Sequence, residues 1–210
     1  LPWLSESVIS EEAASHLPYG KDPTESDVQK ELANADAMLA QLNPNSTDEL
    51  EADHLLSLLG RMTYMGKLYQ LTNNENYGQL YKYYLKGYAA FLNRYPATAQ
   101  AQLLSTRNMW RDGYANIGSW TVMEASPLFS EQDRRQIVSA FYLTYDANSR
   151  DSYLVKAPET GARYNHDVFP ALSIIFGASY FTKYHQLPIA LEWHRLGDRI
   201  FKGNTSNINY

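Results

Sequence analysis

The sequence predicts an all-α protein built from helical hairpins. Two observations carry that expectation. Apolar residues recur at alternating steps of three and four through most of the chain, and no stretch alternates with a period of two while enriched in β-branched residues. Capping signals punctuate the pattern at intervals that suit helices.

The elements follow in order. Residues 1–25 form an extended N-terminal segment in this reading, and 26–210 the helical domain. A first helix is expected from Ser26, with Gln29 completing a capping box. Val28, Leu32, Ala35, Leu39 and Leu42 make one face, and "NPNS" stops it. Ser46 and Glu49 open a second, whose stripe of Leu55, Leu58, Met62, Met65 and Tyr69 runs until "TNNEN" breaks it. A third follows at once, lined by Tyr77, Leu80, Tyr81, Tyr84, Tyr88, Phe91 and Tyr95 and ended by Pro96. Residues 98–126 hold one long or two short helices around Gly113 and Gly118. Ser130 and Asp133 form a further capping box, with Ile137, Phe141 and Tyr145 on the buried face. After the loop "RDSYLVKAPETGARYN" comes a helix of about 167–185, and Pro188 opens a last one ending at Gly203. Gly66-Lys67-Leu68-Tyr69 and Gly177-Ala178-Ser179-Tyr180 each lie in an apolar helix followed by a short polar turn and another helix. Both read as helical hairpins, the unit of layered helical arrays.

Composition narrows the function. The chain has 210 residues, 44% hydrophobic, enough for one compact domain with a sizeable core. Eighteen Lys and Arg against 23 Asp and Glu give a net charge of −5, with no basic run interleaved with aromatics, so nucleic acid is not an expected partner. Cysteine is absent, which removes disulfides, thiolate metal sites and cysteine nucleophiles. No apolar run reaches the roughly 20 residues of a spanning helix, so no membrane partner is expected. "LPWLSESVIS" lacks the basic start of a signal peptide. A start at Leu1 rather than Met suggests removal of a leader or of part of a larger protein. Seventeen Tyr and 4 Trp stand out; most should pack in helix faces, with a few offering polar tips to a groove of the kind that binds sugars.

The densest chemistry is "ARYNHDVFP", residues 162–170, where Arg163, Tyr164, Asn165, His166 and Asp167 crowd the start of an apolar helix. An amide such as Asn165 can hydrogen-bond a carboxylate and stabilise enolate-like charge, and His166 can donate or accept a proton near neutral pH. The same residues also suit a helix start, with Asn165 as N-cap and Asp167 favouring the helix dipole. Trp110 and Arg111 form a second cluster, a ring that can stack on a sugar beside a cation that can pair with a carboxylate. A core Trp flanked by the surface charges of Arg107 and Arg111 accounts for it slightly better. Trp193, His194 and Arg195 suit packing better than catalysis, and His54 and His185 lack a metal-ligand partner at helical spacing. No metal and no cofactor are expected.

Three stretches carry a family resemblance. "RMTYMGKLYQLTNNENYGQLYKYYLKGYAAFL" is similar to the hairpins in the (α/α) toroid domains of heparinase- and alginate-lyase-like polysaccharide lyases. "RNMWRDGYANIGSWTVMEASPLFSEQDRRQI" resembles the part of those toroids where a Trp-bearing helix precedes a turn and helix, and "YNHDVFPALSIIFGASYF" resembles their helix opening with Asn-His. The likeness spans about residues 46–203. It implies an (α/α) toroid, incomplete at its C-terminal end, as the N-terminal portion of a larger chain. It also implies cleavage of an acidic, uronate-containing polysaccharide or oligosaccharide by β-elimination, in a bacterial periplasmic or secreted setting. Asn165 and His166 would be catalytic, with Trp110, Arg111, Arg163 and Tyr164 binding substrate. In the family a later Tyr supplies the acid, and often the base; this sequence stops before it. Two departures matter: Tyr164 stands where many members carry a second Asn, and Asp167 where an uncharged residue is usual. Two alternatives stay open. One is a glycoside hydrolase on the same toroid with Asp167 or Glu124 as general acid; the other is a non-catalytic module binding glycan or protein through an aromatic groove.

Overall fold

The computed structural model describes residues 24–41, 49–94, 113–151, 154–156 and 165–205. Over these residues the chain is helical with no strand, as the periodicity predicts. The helices are α1 (Glu25–Gln41), α2 (Glu49–Thr72), α3 (Glu75–Arg94), α4 (Gly113–Met123), α5 (Glu131–Ser149), α6 (Asn165–His185) and α7 (Pro188–Thr205). They pack in two rows. Helices α2, α4 and α6 lie side by side in one, and α1, α3, α5 and α7 in the other. The pairs α2–α3, α5–α6 and α6–α7 tie the rows together, and the first and last of these pairs are antiparallel hairpins.

Several boundaries differ from expectation for identifiable reasons. Helix α1 is capped by Thr24 and Asp27 rather than Ser26 and Gln29. The Asp27 N–H donates to Thr24 Oγ1 at 3.2 Å while Thr24 N–H donates to Asp27 Oδ2 at 2.8 Å, a reciprocal box that starts two residues earlier. The Ser46–Glu49 box lies outside the described residues, as does Pro96. Gly113 and Gly118 both fall in α4, Gly113 as its first residue. Helix α6 starts two residues earlier than expected, at Asn165, and α7 runs past Gly203 to Thr205.

Both hairpin turns use a non-glycine residue in the left-handed region, Asn73 (φ 56°) and Gln186 (φ 52°). Asn73 N–H closes the end of α2 on the Tyr69 carbonyl at 2.8 Å, and Asn74 Oδ1 then accepts from Asn76 N–H at 2.9 Å to start α3. After Gln186, Leu187 N–H reaches back to the Phe181 carbonyl at 3.3 Å, folding the turn against the last turn of α6. Pro188 follows as first residue of α7, where its missing N–H costs nothing.

The core is aromatic. Tyr77, Tyr81, Tyr84 and Tyr88, spaced four, three and four along α3, are all buried, as are Trp120, Phe141, Tyr145, Phe181 and Trp193. Three of the hydroxyls bond a neighbouring helix, while that of Tyr81 is buried without a hydrogen-bond partner among the described residues. Tyr88 bonds Thr144, Tyr145 donates to the Gly113 carbonyl at 2.5 Å, and Tyr84 donates to Glu31 at 3.1 Å. Burial comes first among the causes that push the Tyr84 hydroxyl up to about 12; Arg61 acts against it. Thr63 also donates to Asn116, joining α2 to α4.

The two Gly-x-x-Tyr segments share a packing role. A Cβ at Gly66 would lie 2.8 Å from the Tyr81 ring, and one at Gly177 would lie 2.5 Å from the Tyr145 ring. In each, a row-one helix comes so close to a row-two tyrosine that only glycine fits. Gly177→Ala should therefore destabilise the fold by about 1–3 kcal/mol, since the ring it meets is fully buried and cannot swing away. A urea melt should show this as a lower midpoint at unchanged slope.

Helix α5 opens with the expected capping box: Ser130 N–H donates to Asp133 Oδ2 at 3.1 Å and Asp133 N–H to Ser130 Oγ at 3.1 Å. Lys82 and Lys86 on α3 reach the same carboxylate at 3.1 and 2.9 Å. Burial by itself would raise the pKa of Asp133. The hydrogen bonds from Lys86, from the Ser130 side chain and backbone, and from Lys82 outweigh it and hold the carboxyl well below the usual carboxylate range. A depressed folded pKa gives stability that is present above the unfolded value of about 3.9 and is lost as pH falls further. Asp133→Asn should thus be less stable at neutral pH by about 1–3 kcal/mol, and its deficit should shrink below about pH 4. Denaturant midpoints across that range check the sign.

Candidate functional site

The residues singled out in the sequence fall in three groups. Trp110, Arg111, Arg163 and Tyr164 lie outside the described residues. Asn165 and His166 are the first two residues of α6, so the helix begins at Asn165 rather than after it. Pro170, one turn further, lacks the N–H that would bond the carbonyl of residue 166. Asp167 is buried, 5% exposed, and so does not present its carboxylate to solvent. A general acid must touch substrate, which leaves Glu124 as the better placed of the two carboxylates considered for hydrolysis. Trp193 is core, while His194 and Arg195 make helical pairs with Asp198 at 3.6 Å and Glu192 at 2.5 Å.

At the far end of α6 lies a groove of about 480 Å³, between α5 and the α6–α7 turn. It is in the size range of small-molecule sites. Its α5 wall is Glu131, Arg134, Arg135, Val138 and Tyr142; Phe181, His185 and Leu187 face them, and Glu124 closes the end. The α5 residues recur at i, i+3, i+4, i+7 and i+11, one stripe of the helix. Ile137, Phe141 and Tyr145 make the buried stripe beside it. The rings of Tyr142 and Phe181 meet edge to face at 6.0 Å, and both pack against Trp193, giving an aromatic wall backed by the core.

The turn that carries Glu124 is held from two sides. Lys82 Nζ donates to the Leu128 carbonyl at 2.6 Å. Arg134 donates from Nε to the Glu124 carbonyl at 2.7 Å and from Nη2 to the Ser126 carbonyl at 3.0 Å. These two bonds use two of the five guanidinium N–H groups. No carboxylate among the described residues pairs with Arg134, whereas Arg135 lies 3.5 Å from Glu131.

Behind the groove the Tyr180 hydroxyl meets three partners. It donates to Glu124 Oε2 at 2.8 Å, accepts from Trp120 Nε1 at 3.0 Å, and lies 3.1 Å from His185 Nε2. Burial, and then the hydrogen bond and charge of Glu124, push this phenol well above the ordinary tyrosine range, so it keeps its proton. The donor count then fixes the histidine. A phenol has one hydrogen and two lone pairs, an ionised carboxylate only accepts, and an indole only donates. The single hydrogen goes to Glu124, so His185 must donate from Nε2. In the neutral ring this leaves Nδ1 with its lone pair free to accept. Glu124, Tyr180 and His185 form one directed chain, the arrangement by which an imidazole is oriented for proton exchange.

The sequence signals for this site are weak. Glu124 and His185 lie 61 positions apart, and Tyr180 looks like any helix-face tyrosine. Only the polar stripe of α5 is periodic. Among the described residues no cluster of three or more His, Cys, Asp or Glu is placed to hold a metal, and no helix is long and apolar enough to cross a membrane. No family model, curated protein or solved structure matches this chain.

Proposed function

We propose that this chain is the helical-array part of a polysaccharide-lyase-type carbohydrate-active enzyme that cleaves an acidic, uronate-containing glycan by β-elimination. The observation that carries the reading is the two-row packing of paired helices, α2, α4 and α6 against α1, α3, α5 and α7, which is how consecutive hairpins pack in an arc of an (α/α) toroid. The start of α6 at Asn165 supports it too, because helix geometry then fixes the backbone that carries Asn165 and His166. Elimination needs the uronate carboxylate neutralised while a base takes the adjacent carbon-bound proton. Asn165 is assigned the first task and His166 assists, with Trp110, Arg111, Arg163 and Tyr164 gripping the acidic polymer. A periplasmic or secreted bacterial setting belongs to the same reading.

One observation favours a second reading, a glycoside hydrolase. Glu124 and Glu131 line the same groove, and an inverting hydrolase uses two carboxyl groups about 6.5–9.5 Å apart.

Product chemistry separates the two. Alginate, heparin-like, chondroitin-like and neutral oligosaccharides are incubated with the protein, and the ends are read by ultraviolet absorbance and mass. The lyase reading expects an acidic oligosaccharide to yield unsaturated ends, one water lighter than hydrolytic ones, with Asn165→Ala slowing the reaction about 10²-fold or more. Saturated products would move the assignment to the hydrolase; binding without turnover would leave a glycan-binding module.

A further inference from the structure

We infer that the groove between α5 and the α6–α7 turn is a separate binding site for a carboxylate-bearing sugar, with Arg134 taking the carboxylate and His185 meeting a sugar hydroxyl through Nδ1. The inference rests on the preceding reading for the acidic-sugar class of ligand alone. Its location is independent. At 1.5 Å per residue, His185 lies about 30 Å along α6 from Asn165, too far for one monosaccharide to touch both.

Three features of the groove select this ligand. The first is a held cation. Two backbone carbonyls fix Arg134, and with no carboxylate partner among the described residues its three remaining N–H groups can serve a planar carboxylate. The carboxylates nearby are already engaged: Glu131 with Arg135 on the rim, and Glu124 by the Tyr180 hydroxyl. The second is the wired imidazole. Since Nε2–H is committed to Tyr180, the other nitrogen is the one available to a ligand, accepting when the ring is neutral and donating when it is charged. The third is the half-buried Tyr142 ring, backed by the buried Phe181 and Trp193, an apolar surface of the kind against which a pyranose ring packs.

The groove also shows what it would discriminate. A neutral sugar would leave Arg134 without a counter-charge. A simple carboxylic acid would leave the Tyr142 ring and His185 uncovered. Within the glycan class of the preceding reading, an acidic sugar is the ligand that meets both.

The test uses glucuronate and glucose as probes at millimolar concentration, with assigned amide and side-chain NMR signals read on the described helices. Glucuronate should shift signals of Arg134, Tyr142 and His185, glucose should not, and Arg134→Lys should weaken glucuronate at least about tenfold because an ammonium has no fork. Arg134 also braces the α4–α5 turn, so His185→Phe serves as second variant. It keeps a ring against Tyr180 and Phe181 and should weaken glucuronate without unfolding. Shifts confined to the start of α6, equal response to both sugars, or no response to either would overturn the inference. The two proposals fail separately. Unsaturated product with a silent groove removes this site and keeps the lyase; a responsive groove without unsaturated product does the reverse.

Discussion

One buried hydroxyl organises the groove end of this molecule. Tyr180 sits on α6, 3% exposed, and its oxygen is reached by Trp120 from α4, by Glu124 from the α4–α5 turn and by His185 from the last turn of its own helix. Burying a phenol without partners costs on the order of 1–3 kcal/mol, so α6 has little freedom to slide against α4 once these bonds form. That constraint fixes where α6 ends and therefore where the Gln186–Leu187 turn places the groove wall. Because the hydroxyl has one hydrogen for three neighbours, it also sets the direction of every bond around it.

The abundance of tyrosine has the same explanation elsewhere. Most core tyrosines fill space as phenylalanine would while a nearby backbone or side-chain oxygen takes the hydroxyl: Thr144 for Tyr88, the Gly113 carbonyl for Tyr145, Glu31 for Tyr84. Each such bond joins two helices that burial alone would leave free to slip. The glycines at 66 and 177 let the Tyr81 and Tyr145 rings approach the neighbouring helix, so the fold combines close backbone approach on one row with bulky buried rings on the other. Asp133 applies the same logic to charge, gathering Lys82 and Lys86 onto the cap of α5 and so tying α3 to the turn that carries Glu124.

Much of the fold was legible because helix faces and caps are local. The stripe of Ile137, Phe141 and Tyr145, the Ser130–Asp133 box, the break at "TNNEN" and Pro188 as a first helical residue all depend on neighbours within four positions, and all are found as expected. The start of α1 was misplaced because Thr24-x-x-Asp27 competes with Ser26-x-x-Gln29, and an aspartate at the third position closes the reciprocal bond more directly than glutamine. The α5–α6 groove was not legible. His185 and Glu124 looked like isolated residues, and what links them is the hydroxyl of Tyr180, whose orientation is set by tertiary packing. Sequence pointed to Asn165 and His166 because they are adjacent; the chain from Glu124 to His185 is assembled from three segments, and no spacing rule reaches across them.

The directed chain from Glu124 to His185 turns on which nitrogen of His185 carries the proton. Nitrogen-15 chemical shifts of the imidazole, read above its titration range, report this without a ligand. The hydrogen-bond chain from Glu124 through Tyr180 requires the neutral ring to hold its hydrogen on Nε2, with that preference lost in Tyr180→Phe. A neutral ring protonated on Nδ1, or a mixture of tautomers indifferent to Tyr180→Phe, would contradict the directed chain and the site built on it.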